Sequence, residues 1–182
     1  MPANQGQAKL QSAATGANDK LYMSPAARAK MRRREAEAYK YYDDMGQGKG
    51  NCTWGPGILL HRGPCTKVEL KKKVGAAEVE SEFARRVQGA ENAVRRNVKS
   101  QALTQAQFDA LVSLTYNVGP HGARTTYDLV DSGDLAGAAA NISTIVRATV
   151  HREKVVARGL IARRAEEAAP FRQPTVAPAK KK

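Results

Sequence analysis

Two acidic residues near the start of the chain, Glu35 and Asp44, are of the types and in the settings that acid–base chemistry needs. Hydrolysis of a glycosidic bond takes a protonated carboxyl group beside the leaving oxygen and an ionised carboxylate across the sugar. Glu35 ends a helix-forming stretch, and nearby tyrosines at 39, 41 and 42 would partly bury it, which favours the protonated form. Asp44 opens a glycine-rich, more solvated segment that suits the ionised partner.

Carboxylate spacing alone is a weak signal, and a second interpretation stays open. Glu35 and Glu37 could be surface acids that balance the basic run Arg32, Arg33 and Arg34. Other catalytic sets have less support, because the three histidines are scattered and neither an H-E-x-x-H metal motif nor a G-x-S-x-G nucleophile motif occurs. We expect a site without a metal ion or a cofactor.

The composition predicts one soluble domain attracted to polyanions. The chain has 182 residues, which is enough for one core, and no apolar run approaches the roughly 20 residues that cross a bilayer. Thirty Lys and Arg against seventeen Asp and Glu give a net charge of +13. Nucleic acid, anionic lipid and bacterial cell wall would all attract such a protein. The first twenty residues lack the apolar centre of a cleavable secretory signal.

The two cysteines, Cys52 and Cys65, have twelve residues between them. That spacing is too wide for a C-x-x-C redox site, and two cysteines are too few ligands for zinc. A disulfide uses both and would remove about 3 kcal/mol of chain entropy from the unfolded state. It would fit an oxidising compartment such as the periplasm. Two reduced thiols are the alternative.

Local patterns predict a mainly helical α+β domain. Ser24 and Pro25 are a helix start signal, and glycines and prolines between residues 43 and 64 favour a small antiparallel sheet. Capping boxes at Thr66 and Thr104 predict further helices, the second a buried helix that ends at Gly119. Helical segments are expected at 135–150 and 155–169, so that the domain's only sheet lies near its amino end.

With these elements in place, the sequence resembles the phage-type lysozymes of glycoside hydrolase family 24. Their motif is a helix-ending Glu, a Tyr seven residues on and an Asp nine residues on, followed by a Thr-x-Gly-x-Gly turn. Here these are Glu35, Tyr42, Asp44 and the turn that starts at Thr53. The stretches 103–113, 117–119 and 159–166 continue the likeness. Ala36, Ile58 and a longer loop at 47–50 depart from the family pattern.

The resemblance implies a mainly helical lysozyme-like fold with a small antiparallel sheet near the N-terminal side of a cleft. It also implies roles. Glu35 would be the general acid, Asp44 the carboxylate that activates water, and Thr53 the hydroxyl that positions that water. Glu37, two residues too close to Asp44, is the weaker candidate for the acid. Sugar-binding positions would be Leu59, Tyr116 and Asn117. The segments around Cys52 and Cys65 are similar to a bacterial and prophage subset of the family, which implies a disulfide in this hairpin. Arg163 and Arg164 are expected to be structural.

The resemblance makes the expected function cleavage of the β-1,4 bond between N-acetylmuramic acid and N-acetylglucosamine, with inversion. We expect a disordered arm at 1–23, a catalytic domain at 24–171 and a flexible basic tail at 172–182. The partner would be the glycan strands of peptidoglycan, with no nucleic acid, and the protein a monomer. Peripheral contact with the anionic envelope and an immunity or delivery partner stay open.

The protein would be made in the bacterial cytoplasm and reach the periplasm or wall through a holin-type lesion or a secretion system. Two alternatives remain. The first is a catalytically weak or inactive wall-binding protein on the same scaffold. The second is a cationic protein that acts on membranes or nucleic acid through charge alone.

Overall fold

The computed structural model describes residues 16–34, 39–55, 57–150 and 153–172. Within these ranges the mainly helical α+β class is confirmed, and no helix is long and apolar enough to cross a bilayer. The elements, in chain order, are α1 (Pro25–Arg34), β1 (Tyr42–Asp43), β2 (Cys52–Trp54), β3 (Ile58–His61), α2 (Ala76–Asn97), α3 (Gln105–Gly122), α4 (Arg124–Asp131), α5 (Leu135–Thr144), β4 (Arg147–Val150), β5 (Glu153–Val156) and α6 (Arg158–Arg172).

The predicted sheet near the amino end is present, with the antiparallel order β1-β2-β3. Thr53 on β2 lies between Tyr42 on β1 and Leu59 on β3. The turn from β2 to β3 passes through Gly55 at φ +52, a left-handed conformation in which a side chain would be strained. The predicted disulfide is also present, with 4.5 Å between the Cα atoms of Cys52 and Cys65. It ties β2 to the segment that follows β3.

The capping box at Thr66 forms but does not start a long helix. Glu69 accepts hydrogen bonds from the Thr66 backbone nitrogen and hydroxyl, and the 3-10 turn that follows ends at Lys71. The chain then runs extended, with a bridge between Lys73 and Lys40, before α2 begins at Ala76. Helix α2 starts only after Lys73, because Lys73 is in extended backbone and pairs with Lys40 ahead of β1.

The main core is built on α2 and α3, as their apolar spacing predicts, and it extends to α4, α5 and α6. Thr104 caps α3 with a complete capping box, and the helix buries Phe108, Leu111 and Val112. The face of α2 that packs against it buries Phe83, Val87, Ala90 and Val94. A smaller apolar cluster under the sheet contains Tyr41, Cys52, Val74 and Val79. The sheet therefore rests on the start of α2.

The predicted stop at Gly119 is a kink. Gly119 has φ +74, which breaks the helical geometry, and the chain turns once more before α4 begins at Arg124. Glycine tolerates this φ, and the fixed φ of Pro120 suits the first position of a new helical turn.

The predicted helices at 135–150 and 155–169 are wrong over residues 145–150 and 155–157. Instead of helix, β4 and β5 form an antiparallel hairpin in which Arg147 pairs with Val156 and Val150 with Glu153. Four β-branched residues account for it, since such side chains favour extended backbone: Thr149, Val150, Val155 and Val156. The domain therefore has a second small sheet, directly before α6.

Packing of the chain on the core begins before Ser24. Asn18 is buried, and its side chain bonds the Val98 and Gln101 carbonyls and the Leu103 nitrogen, each at 2.9 Å. These bonds satisfy backbone groups in the turn between α2 and α3. Residues 1–15 and 173–182 lie outside the described ranges, and the division of the chain at 23 and 171 stays a prediction.

Candidate active site

Asp44 directly follows β1 and is held by the residue that precedes β2. The backbone nitrogen of Asn51 donates to Asp44 Oδ1 at 2.8 Å, and the Asn51 side-chain nitrogen donates to Oδ2 at 3.0 Å. The Asp44 nitrogen in turn donates to the Asn51 carbonyl at 3.1 Å. Antiparallel pairing of β1 and β2 places Asp44 and Asn51 opposite each other, so the loop between these strands lies against the Asp44 carboxylate. Asp44 remains exposed to solvent.

Thr53 is brought into the same group through Asn51. Its hydroxyl, in a side chain that is 4% exposed, donates to the Asn51 carbonyl at 3.3 Å. One asparagine thus contacts both predicted site residues. The sequence does not single out Asn51, because an asparagine at the mouth of a hairpin has many roles, and its place two residues before Thr53 is the only signal for it.

Gly50 makes the approach of the loop to Asp44 possible. It has φ +80, and a Cβ atom there would overlap Asp44 Oδ1. Gly48, two residues earlier, has φ +73 with nothing near the corresponding position. The longer loop at 47–50 is therefore folded back against the carboxylate.

Leu59 and Tyr116, two of the predicted sugar-binding residues, lie on different elements. Leu59 is the cross-strand neighbour of Thr53 and is 51% exposed, which leaves an apolar surface beside the hydroxyl. Tyr116 lies on α3, half-buried, with its ring centroid 5.8 Å from that of Phe83. A cavity of about 280 Å³ between α2 and α3 is lined by Tyr116 and by the kink at Gly119. Arg86, also in its lining, donates to the Gly57 carbonyl at 3.3 Å and so links α2 to the turn of the sheet.

Asn117 is exposed, and its side-chain oxygen accepts a hydrogen bond from Arg164. Arg164 is itself buried against Glu167, which also bonds Arg163 at 3.0 Å and the Ser113 hydroxyl at 2.6 Å. These contacts join α3 to α6. Arg163 and Arg164 therefore have the structural surroundings that the sequence predicts for them.

Glu35 and Glu37 lie outside the described residues, and the assignment of the general acid stays a prediction. What the structure gives is the anchoring of the helix that leads to them. Arg34, the last residue of α1, and Lys30 both pair with Glu166 on α6, while Arg32 pairs with Glu80 on α2. The end of α1 is therefore tied to two other helices.

Two pKa shifts near these elements have clear causes. Hydrogen bonds from Lys30 and Arg34 lower the pKa of Glu166 below its ordinary value. At the far edge of the sheet, the backbone carbonyl of Arg62 and then the carboxylate of Glu69 raise the pKa of His61. Both shifts favour the charged form of the group, which is the form that pairs with its neighbour.

A mainly helical domain in which a carboxylate directly follows the first strand of a small sheet, beside a hydroxyl and an apolar residue on the next two strands, has a lysozyme-like fold. The chain belongs to the phage lysozyme family, whose model matches residues 32–167. It is accordingly a lysozyme-type glycoside hydrolase that acts on bacterial peptidoglycan.

Solved structures give the same fold. An endolysin from the Escherichia coli O157:H7 phage FAHEc1 is 28% identical, over 84% of this chain and 94% of that one, with a TM-score of 0.67. The muramidase domain of SpmX from Asticaccaulis excentricus is 24% identical, over 85% and 100% of the two chains, with a TM-score of 0.65. No curated protein matches the sequence significantly.

Proposed function

We propose that this protein cleaves the β-1,4 bond between N-acetylmuramic acid and N-acetylglucosamine, with Glu35 as general acid and Asp44 as the assisting carboxylate. The observation that carries the proposal is the group formed by Asp44, Asn51 and Thr53. Asn51 fixes both carboxylate oxygens of Asp44 and accepts the Thr53 hydroxyl hydrogen. A base and a hydroxyl held by one residue suit the activation of a water molecule.

In the reaction, the Glu35 carboxyl group would give its proton to the departing glycosidic oxygen. Asp44 would take a proton from water while that water attacks the anomeric carbon from the opposite face, and Thr53 would orient it. Attack from the opposite face inverts the configuration at the anomeric carbon. Such a mechanism needs about 6.5–9.5 Å between the two carboxyl groups, so that the water molecule fits between them. Leu59, Tyr116 and Asn117 would contact the sugar rings on either side.

The biological setting that fits is lysis of bacteria, either by a phage or prophage endolysin or by a secreted antibacterial effector. The likeness to a phage endolysin supports a lytic role. The disulfide supports an oxidising place of action. We propose that the protein acts as a monomer in the periplasm or wall, after release through a membrane lesion or a secretion system.

Digestion of purified sacculi tests the proposal. The parent should release fragments with new reducing N-acetylmuramic acid ends, identified by mass spectrometry, and their anomeric protons should first appear by NMR in the inverted configuration. Glu35→Gln and Asp44→Asn should each lower the rate about a hundredfold or more, the usual contribution of a general acid or base. Asp128→Asn, at an exposed acid on α4, is the matched control and should keep the parent rate.

Two results would contradict the proposal. Binding to sacculi without new reducing ends would instead favour the wall-binding alternative. Antibacterial action that survives Glu35→Gln in full would favour a charge effect on membranes or nucleic acid.

A further inference from the structure

Beside the disulfide lie two further side chains that bind transition metals. His61 is the cross-strand partner of Cys52, and Glu69 is held against His61 by the 3-10 turn. The Cys52 sulfur, a ring nitrogen of His61 and a carboxylate oxygen of Glu69 lie within 4.8 Å of one another, and Cys65 contributes a second sulfur through its bond to Cys52. We propose that, once the disulfide is reduced, Cys52, Cys65, His61 and Glu69 bind one Zn²⁺ ion.

The donor set fits zinc. Two thiolates, an imidazole and a carboxylate are all ligands that Zn²⁺ takes, and four of them complete the tetrahedron of a structural site. Donors around such an ion lie 2.0 to 2.3 Å from the metal, so His61 and Glu69 need to move only slightly toward Cys52. The two sulfurs move apart once the Cys52–Cys65 bond is broken. The two cysteines alone would be too few, and folding supplies the other two ligands from residues without sequence spacing typical of zinc sites.

The hydrogen bonds that would orient His61 and Glu69 toward a metal ion are already present. His61 Nδ1 lies 3.1 Å from the Arg62 carbonyl, which leaves Nε2 directed at the cluster. Glu69 Oε2 accepts hydrogen bonds from the Thr66 nitrogen at 2.7 Å and hydroxyl at 2.8 Å, so that Oε1 is the oxygen that faces His61. Outer bonds of this kind orient the ligands of zinc sites and strengthen them as donors.

Burial also suits an ion that enters from solvent. Cys52 is fully buried, while the side chains of His61 and Glu69 are 40% and 24% exposed. The Cys52 sulfur is thus shielded from solvent, while Cys65 and the imidazole are partly exposed. Bound zinc would link β2, the end of β3 and the 3-10 turn, whereas the disulfide ties only β2 to the segment that follows β3.

The chemistry balances with a thiol reductant, such as the glutathione class of the cytoplasm. Two reductant thiols become one disulfide, and Cys52 and Cys65 each gain a hydrogen. Zinc then displaces the two thiol protons, as well as any proton on His61 Nε2, and no electron is transferred in that step. Oxidation of the bound thiolates by a disulfide donor would restore the Cys52–Cys65 bond and release the ion.

Metal titration of the reduced, full-length protein tests the proposal under anaerobic conditions with a non-thiol phosphine reductant. One equivalent of Co²⁺ should give the visible absorption of a tetrahedral thiolate site, and one equivalent of Zn²⁺ should abolish it. Zinc at a hundred times its dissociation constant should raise the melting temperature of the reduced protein by about 5–10 °C. The oxidised protein should show neither effect, since its sulfurs are bonded to each other.

Variants separate the four-ligand site from adventitious binding. His61→Asn and Glu69→Gln should each weaken zinc binding at least tenfold in the reduced state, while both stay folded when oxidised because the disulfide remains. His121→Asn, at an exposed histidine after the α3 kink, should bind as the parent does. The double variant Cys52→Ser with Cys65→Ser should lose the absorption entirely. Parent-like binding by His61→Asn and Glu69→Gln, or no stoichiometric binding by the reduced parent, would overturn the proposal, whatever the hydrolase activity.

Discussion

The Asp44 carboxylate is fixed from one direction, by the loop that returns to β2. Both of its oxygens accept hydrogen bonds from Asn51, and the backbone of Gly50 lies against Oδ1. A carboxylate positioned in this way needs no side-chain rearrangement before it acts, which is the advantage of a preorganised group. The longer loop at residues 47–50 thus contributes contacts to the predicted catalytic carboxylate.

Gly50→Ala should therefore lower hydrolysis of peptidoglycan much more than Gly48→Ala. Both substitutions place a side chain at a left-handed φ, which should cost about 1 kcal/mol of stability in each, and overlap with Met45 adds to the cost at Gly50. The Gly50 variant additionally overlaps Asp44 Oδ1 and must displace the carboxylate, which should reduce kcat about tenfold or more. Initial rates on sacculi and urea unfolding measure the two effects. Equal rates in the two variants would mean that the position of Asp44 is unimportant for turnover.

Helix α1 leads directly to the predicted general acid, because its last residue, Arg34, precedes Glu35. It buries only Met31, and ion pairs to α2 and α6 hold its charged end. Exposed ion pairs stabilise a fold only weakly, so we expect these pairs to contribute little to the free energy of unfolding. We expect them to matter more for the direction in which the end of α1 points. The two contributions can be measured separately.

Glu166→Gln should lower activity about threefold to tenfold while reducing the free energy of unfolding by less than about 1 kcal/mol. The substitution removes the charge that Lys30 and Arg34 share, which frees the end of α1 next to Glu35. Glu78→Gln, at an exposed acid on α2, is the control for charge alone and should leave kcat unchanged. Unaltered turnover by Glu166→Gln would argue against α1 as the element that positions the acid.

Asp131, at the end of α4, holds the turn between α2 and α3. Burial raises its pKa, but hydrogen bonds from the backbone nitrogens of Ser100, Gln101 and Lys99 outweigh this and lower the pKa below the ordinary 3.8. A lowered folded pKa stabilises the protein above pH 3.8, and this stability is lost as the pH falls through the folded value.

Asp131→Asn should accordingly lower the free energy of unfolding by about 1 kcal/mol at neutral pH, because the amide is a weaker acceptor for three donors. The difference from the parent should shrink as the pH drops below 3.8 and the parent's Asp131 is protonated. Urea unfolding of both proteins across this range measures it, with Asp128→Asn as the control. If the difference in the free energy of unfolding grew as the pH fell, the ionised form of Asp131 would not be the one that stabilises the fold.

How far the sequence predicts an element depends on whether its determinants are local. The capping box of α3 and the stripe Phe108, Leu111 and Val112 lie within one helix, and the structure confirms them. The hairpin β4-β5 depends on pairing between two strands, and a prediction built on helical spacing missed its β-branched residues. Asn51 and the ligands around Cys52 come together only through strand register, which composition and spacing do not give.

The whole molecule carries a net charge of +13. The electrostatic field of this charge attracts the anionic cell wall at distances where no binding site makes contact yet. An exposed groove at the end of α2, with a volume of about 740 Å³, concentrates part of this charge in Arg95, Arg96 and Lys99. Arg95 is committed to the fold, since it donates to the Leu21 carbonyl and lies over the Tyr22 ring. Arg96 and Lys99 are exposed and can attract anionic groups of the envelope.

Neutralising Arg96 and Lys99 together as glutamines should raise the KM for intact sacculi about twofold to threefold at low ionic strength, with kcat unchanged, because the weaker field slows encounter. The double change Glu78→Gln with Asp128→Asn raises the net charge by the same amount and should lower KM correspondingly. In about 1 M salt, where the screening length is near 3 Å, the three proteins should converge. Glycan fragments stripped of their peptides carry less charge and should show little of this dependence. Divergence that persists at high salt would instead point to direct contact between the groove and the wall.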